Sequence, residues 1–140
     1  MRHLAFVLIL AVSVSAQETL SLEQHVEALQ ESIKGREDQP ATEVFENIQM
    51  MKGVTAGRLL NVMKMGFSRS LGVTCEHCHV PGQWADDTKD AKMITRQMMT
   101  MVGRINRELL PAIEELKDEK PTVNCTTCHR GQVTPALEMK

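Results

Sequence analysis

Apolar residues recur at helical spacing in three stretches of the chain. Leu22, Val26, Leu29 and Ile33 fall at offsets of three and four, and Ser21-Leu22-Glu23-Gln24 has the form of a capping box, which predicts a helix over Gln17 to Lys34. Gly35 to Pro40 is polar and reads as a turn or linker. Val44 to Met51 is apolar-rich but short, and fits extended chain as well as one or two helical turns. Thr55 can cap a helix reaching about Leu71, with Gly72 placed to stop it. A second long helix is predicted from about Lys89 to Leu110. Pro111 breaks or restarts it, and a further piece reaches about Lys117. On the first long helix Leu59, Leu60, Met63 and Phe67 share a face, with Met65 off it beside Lys64. On the second, Ile94, Met98, Met101, Val102, Ile105 and Leu109 form the apolar stripe, and Met99 is expected to point elsewhere. No alternating strand pattern is present, so the expected class is all-α.

Leu4 to Val14 is a different pattern, an almost unbroken apolar run. It is too short for a transmembrane helix, which needs roughly 20 apolar residues. With Arg2 and His3 before it and Val14-Ser15-Ala16 after it, the run reads as a signal peptide over residues 1–16, with an uncleaved interfacial anchor as the alternative. No cysteine lies near the cleavage point to carry a lipid. The expected product is periplasmic or otherwise extracytoplasmic, without a membrane span once the signal is cleaved. It divides into an N-terminal helix and linker (17–41) and a main domain (42–140).

Composition sharpens this picture at one point. Aromatic residues are 3% of the 140 residues, and once Phe6 goes with the signal only Phe45, Phe67 and Trp84 remain to build a core. A domain of this size with so few large side chains has a thin core, so large apolar groups from outside the chain are a natural filling. Ten methionines supply flexible packing and soft thioether ligands. The net charge of −2, with both signs well mixed, argues against a nucleic-acid surface.

All four cysteines fall in two Cys-x-x-Cys-His units, Cys75-Glu76-His77-Cys78-His79 and Cys125-Thr126-Thr127-Cys128-His129. Cysteines three positions apart lie on one turn of backbone and can reach the two vinyl groups of a porphyrin. The adjacent histidine then lies under the ring as an iron ligand. Two disulfides or a zinc site would leave the paired histidines unexplained, and a thioredoxin-like motif would need a βαβ context. The expected cofactors are therefore two haem c groups, attached through Cys75, Cys78, Cys125 and Cys128, with His79 and His129 as axial ligands. A second protein ligand on each iron favours electron transfer, whereas an open position admits small molecules. The helical faces make Met63 a candidate for the first haem and Met98 or Met101 for the second, with His25 and His77 as rivals. His77 is expected to face solvent, and His25 is expected on the polar side of its helix. Arg130 is placed to pair with a haem propionate.

With both motifs and both methionine helices in view, the chain resembles the cytochrome c subunit family of photosynthetic reaction centres, from about Thr42 to Pro135. The resemblance is carried by Val44-Phe45-Glu46-Asn47-Ile48-Gln49, Leu71-Gly72-Val73-Thr74-Cys75, Thr95-Arg96-Gln97-Met98-Met99-Thr100-Met101 with Ile105-Asn106, and Cys125-Thr126-Thr127-Cys128-His129-Arg130-Gly131 with Pro135. It implies a small multihaem cytochrome c in which a helix before each motif supplies a methionine ligand and two haems form much of the core. Met63 and Met98 occupy the family's ligand places, while Met101 matches a methionine that packs. The resemblance further implies an electron carrier rather than an enzyme, working between redox partner proteins such as a reaction centre or a respiratory complex. Two features depart from the family's pattern: two motifs stand here against four haems in the reaction-centre subunits, and no lipidation cysteine is present. The rival class is a haem enzyme or a gas or redox sensor with one open iron.

Overall fold

The computed structural model describes residues 20–116 and 119–138. Among these the chain is helical, and its extended pairing is limited to two isolated bridges, Pro40 with Thr55 and Val80 with Gln83. The apolar run expected to be a signal peptide lies outside the described residues.

Helix α1 (Leu22–Ser32) begins at its capping box and not at Gln17 as expected, because Ser21 as N-cap is extended and Leu20 before it is not helical. Ser21 Oγ accepts from the Gln24 N–H, and the Gln24 side chain accepts from the Ser21 N–H. It ends at Ile33, just before Gly35 takes a φ of 78°. The ambiguous stretch that follows is a single helical turn, α2 (Ala41–Val44), and then irregular chain in which Asn47 and Met51 adopt positive φ. The Ala41 N–H donates to Val54 O and the Ala56 N–H to Gln39 O, both at 2.9 Å, so this segment closes on itself as a loop.

Helix α3 (Ala56–Asn61), capped by Thr55, continues without a break into a π-helical stretch (Val62–Ser68) and then α4 (Arg69–Leu71). Gly72, at φ 67°, ends the rod in the left-handed conformation that glycine adopts freely. Helix α5 (Asp90–Arg104) also runs into a π stretch (Ile105–Leu109), and Pro111 follows inside a 3₁₀ turn (Leu110–Ala112). A further 3₁₀ turn covers Glu114–Leu116, and α6 (Cys125–His129) is the second Cys-x-x-Cys-His unit itself. The π turns, with their i→i+5 bonding, were not expected from periodicity. Such insertions concentrate at functional positions, and the first contains Met63.

The protein core sits in the N-terminal half. Ile33, Ala56 and Leu60 are buried together, with Leu29, Val44 and Phe45 packed against them. The rest of the molecule is different. Helix α5 buries none of its residues; Ile94, Met101 and Leu109 are exposed along its stripe, as are Met93 off the stripe and Ile113 in the turns that follow. No large side chain among the described residues is completely buried. A helix with so marked an apolar stripe and no protein to cover it is the structural counterpart of the thin core that composition predicts.

Candidate functional site

The first Cys-x-x-Cys-His unit is built by the way α4 stops. Gly72 turns the chain, the Val73 N–H reaches back to Ser68 O at 3.0 Å, and Cys75–His77 form a 3₁₀ turn. The His79 N–H donates to Cys75 O at 3.0 Å, which closes the turn and sets Cys75, Cys78 and His79 on one small loop. These three residues line a cavity of about 660 Å³. Met63, Phe67 and Leu60 line it from the rod above, and Thr95 and Met99 from α5. Its size lies within the roughly 300–1,000 Å³ usual for cofactor pockets.

His79 is oriented by a backbone acceptor. Its Nδ1–H donates to the Trp84 carbonyl at 2.9 Å, which leaves Nε2 as the nitrogen with a free lone pair. Burial holds the His79 pKa below its usual value, against the opposing pull of that carbonyl, so the neutral, ligating form is favoured. The Cys75 and Cys78 thiols are pushed up, chiefly by burial. The Trp84 ring meets His79 edge-on at 5.8 Å between centroids.

His25 is a correction to the sequence reading. It is not a surface residue of α1 but 3% exposed, with Nε2 2.9 Å from Glu76 Oε1 and its ring edge-on to Trp84. The partner that permits its burial lies inside the first Cys-x-x-Cys-His loop, 51 positions away, beyond the reach of any local pattern. With Nε2 engaged by Glu76, His25 anchors α1 to the first Cys-x-x-Cys-His loop. His77 is exposed, as expected. Met99 lies off the main stripe of α5, as expected, and lines the first cavity.

A charged clasp closes the loop after His79. The Asp87 carboxylate takes both Arg96 guanidinium nitrogens at 2.9 Å and lies 3.0 Å from Lys92 Nζ. Arg96 first, with Asn47 and Lys92 adding to it, holds the Asp87 carboxyl well below the usual carboxylate range. Lys89 donates to the Glu76 carbonyl from the start of α5.

The second unit is the one-turn helix α6. Asn124 caps it in a reciprocal box with Thr127. His129 repeats the geometry of His79, its Nδ1–H donating to the Gln132 carbonyl at 3.0 Å. The Ser70 and Thr126 hydroxyls bond at 2.6 Å and the Gly131 N–H donates to Ser70 O at 2.8 Å, so α6 docks on the end of the rod that carries the first unit. The Asn106 side chain receives the Val123 N–H and donates to the Val123 carbonyl, both at 2.8 Å, strapping the approach to Cys125 onto α5's extension. Motif reading marked Asn106 as part of a resemblance but gave it no role. Met98 is half-buried on α5, whereas Met101 is 43% exposed. Cys128 is exposed and burial raises the Cys125 thiol. Arg130 is exposed and takes φ 49°.

None of the four cysteines is in a disulfide, and among the described residues no cluster of three or more His, Cys, Asp or Glu side chains could hold a bare metal ion. The donor set instead suits haem c. Each unit offers two thiols on one turn and an imidazole whose Nδ1 is fixed by a carbonyl. The first adds an apolar cavity with a thioether in its wall.

A sequence model described as photosynthetic reaction centre cytochrome C subunit matches residues 8–138. The chain belongs to this reaction-centre cytochrome family. The match takes in α1, so it is longer than the motifs alone had marked. The photosynthetic reaction center cytochrome c subunit of Thermochromatium tepidum is 34% identical over 98 residues, 68% of this chain and 22% of that protein. Cytochrome c-554 of Chloroflexus aurantiacus is 29% identical over 85 residues, 61% of this chain and 20% of that protein. The Roseobacter denitrificans reaction-center subunit is 28% identical over 102 residues, 69% of this chain and 26% of that protein. The chain thus spans about a fifth to a quarter of the length of these relatives. Membership makes it a c-type cytochrome.

Proposed function

We propose that this cytochrome carries two covalently attached haems and passes single electrons between extracytoplasmic redox partners. The observation that carries the reading is the repeated arrangement of the axial histidines. His79 and His129 each follow a Cys-x-x-Cys turn, and each has Nδ1 tied to a backbone carbonyl so that Nε2 is left to bind iron. When bound, the haems supply one-electron chemistry by cycling iron between ferric and ferrous states. The chain's own residues attach, orient and shield them. Cys75, Cys78, Cys125 and Cys128 make the covalent bonds, and Met63 and Met98 serve as second axial ligands. Arg130 is available for a propionate carboxylate.

Export is supported by the apolar run Leu4 to Val14 and the small residues after it. No helix among the described residues is long and apolar enough to cross a membrane. Two relatives are named as reaction-center subunits, which makes a reaction centre one partner to test and a respiratory complex another.

Carbon monoxide titration of the reduced protein tests carriage against a haem enzyme or sensor. Two six-coordinate irons predict no binding at neutral pH without denaturant, whereas stoichiometric binding would favour an open site. Met63→Ala should create one such open site and remove the long-wavelength charge-transfer band of methionine-ligated ferric haem for the first haem alone. An unchanged spectrum would exclude Met63 as a ligand.

A further inference from the structure

The two axial imidazoles are held alike, but their acceptors are not equal. The Trp84 carbonyl receives the His79 Nδ1–H at 2.9 Å and also the Lys92 ammonium at 3.0 Å. Lys92 is 12% exposed, and it is fixed by a second bond to Asp86 O at 2.6 Å and by Asp87 at 3.0 Å. The Gln132 carbonyl receives the His129 Nδ1–H, and no lysine or arginine among the described residues donates to it. We infer that Lys92, through the carbonyl it shares with His79, raises the reduction potential of the first haem above that of the second, so that an electron on the protein resides at the His79 site. The inference deepens the proposed function and rests on its reading that His79 ligates iron.

The physical argument concerns position rather than total charge. Around the first unit three acidic residues, Glu76, Asp86 and Asp87, accompany three basic ones, Lys89, Lys92 and Arg96; the Asp87 carboxylate pairs with Lys92 and Arg96, the Glu76 carboxylate meets His25, and Lys89 and Lys92 also bond the backbone carbonyls of Glu76 and Asp86. These groups largely balance. Lys92, however, touches the atom that polarises the ligand. A carbonyl already engaged by a cation is a weaker acceptor, so the Nδ1 proton stays closer to the ring and the imidazole donates less charge to iron. A poorer donor favours the ferrous state. The ammonium, largely withdrawn from solvent, opposes ferric charge in the same direction. His129 keeps an unshared acceptor and has neither effect.

A spectroscopic redox titration of the haem-loaded protein tests this. Wild type should titrate in two steps. Lys92→Met should move the upper step down, with a roughly tenfold higher ferric-to-ferrous ratio at fixed ambient potential, equivalent to about 59 mV for a one-electron couple, and leave the lower step in place. Lys92→Arg should stay near wild type. Asp87→Asn, which removes the countercharge of Lys92, should move the same step up. A loosened loop would shift both the methionine and the asparagine variants the same way, and that result, no shift, or movement of the lower step overturns the inference. If Lys92→Met does not hold haem, Lys92→Gln decides, a fall of the upper step alone supporting the inference and no change or movement of the lower step overturning it. A wild-type chain that carries no haem would overturn the proposed function instead.

Discussion

Single side chains hold the two attachment units in place, and Asn106 is the clearest case. Its amide satisfies both the N–H and the carbonyl of Val123 at 2.8 Å. Asn106→Leu keeps the side chain's size but leaves two half-buried backbone groups without partners, which should destabilise the fold by about 1–3 kcal/mol. Denaturant unfolding measures this, and a change within about 0.5 kcal/mol would show that the strap is dispensable. Asp87 gives a pH prediction whose sign is set by its partners. Arg96, then Asn47 and Lys92, depress its folded pKa below the unfolded value of about 3.9. Its contribution is therefore fully present above about pH 4 and is lost as pH falls through the depressed value. Asp87→Asn should flatten the fall of the thermal midpoint on the acid side and leave the slope between about pH 5 and 8 unchanged. Equal acid slopes in wild type and variant would contradict the clasp.

At the scale of elements, the two attachment units share one support. Helix α4 ends at Gly72, and α6 docks on it through Ser70, Thr126 and Gly131. A Cβ at Gly72 would run into the Gly131 carbonyl, and φ there is 67°. Gly72→Ala therefore meets a left-handed penalty of about 1–2 kcal/mol and a clash with the second unit. Haem content and thermal midpoint should both fall, and normal loading at both sites would show that the contact is not needed. The rod, α5 and the Ser21–Gln24 capping box were legible in the sequence because caps and helical periodicity are local signals. The π turns were not, since one inserted residue per turn leaves no mark in composition. His25 was misread because its burial depends on Glu76 across 51 positions. Met99 was placed correctly off the stripe, but what it faces was not legible, since the cavity that Thr95 and Met99 line is formed by distant segments.

For the whole molecule, the distribution of apolar surface carries the account. The protein's own core is confined to α1, α2 and α3, around Ile33, Ala56 and Leu60. Beyond it lie a cavity of about 660 Å³ at the first unit and an exposed apolar stripe on α5 and its extension containing Ile94, Met101 and Leu109. On the proposed function, haem would fill this cavity and cover apolar surface that the protein core does not, and folding would depend on cofactor attachment. Helix α1 belongs to the same economy, since His25 and Trp84 seat it against the first attachment loop. The most direct measurement is the intact mass of protein from a host able to mature cytochrome c, read with a pyridine haemochrome assay. The account predicts two haems per chain, bound through thioether links that survive denaturation. A single haem, or a bare polypeptide mass, would contradict it.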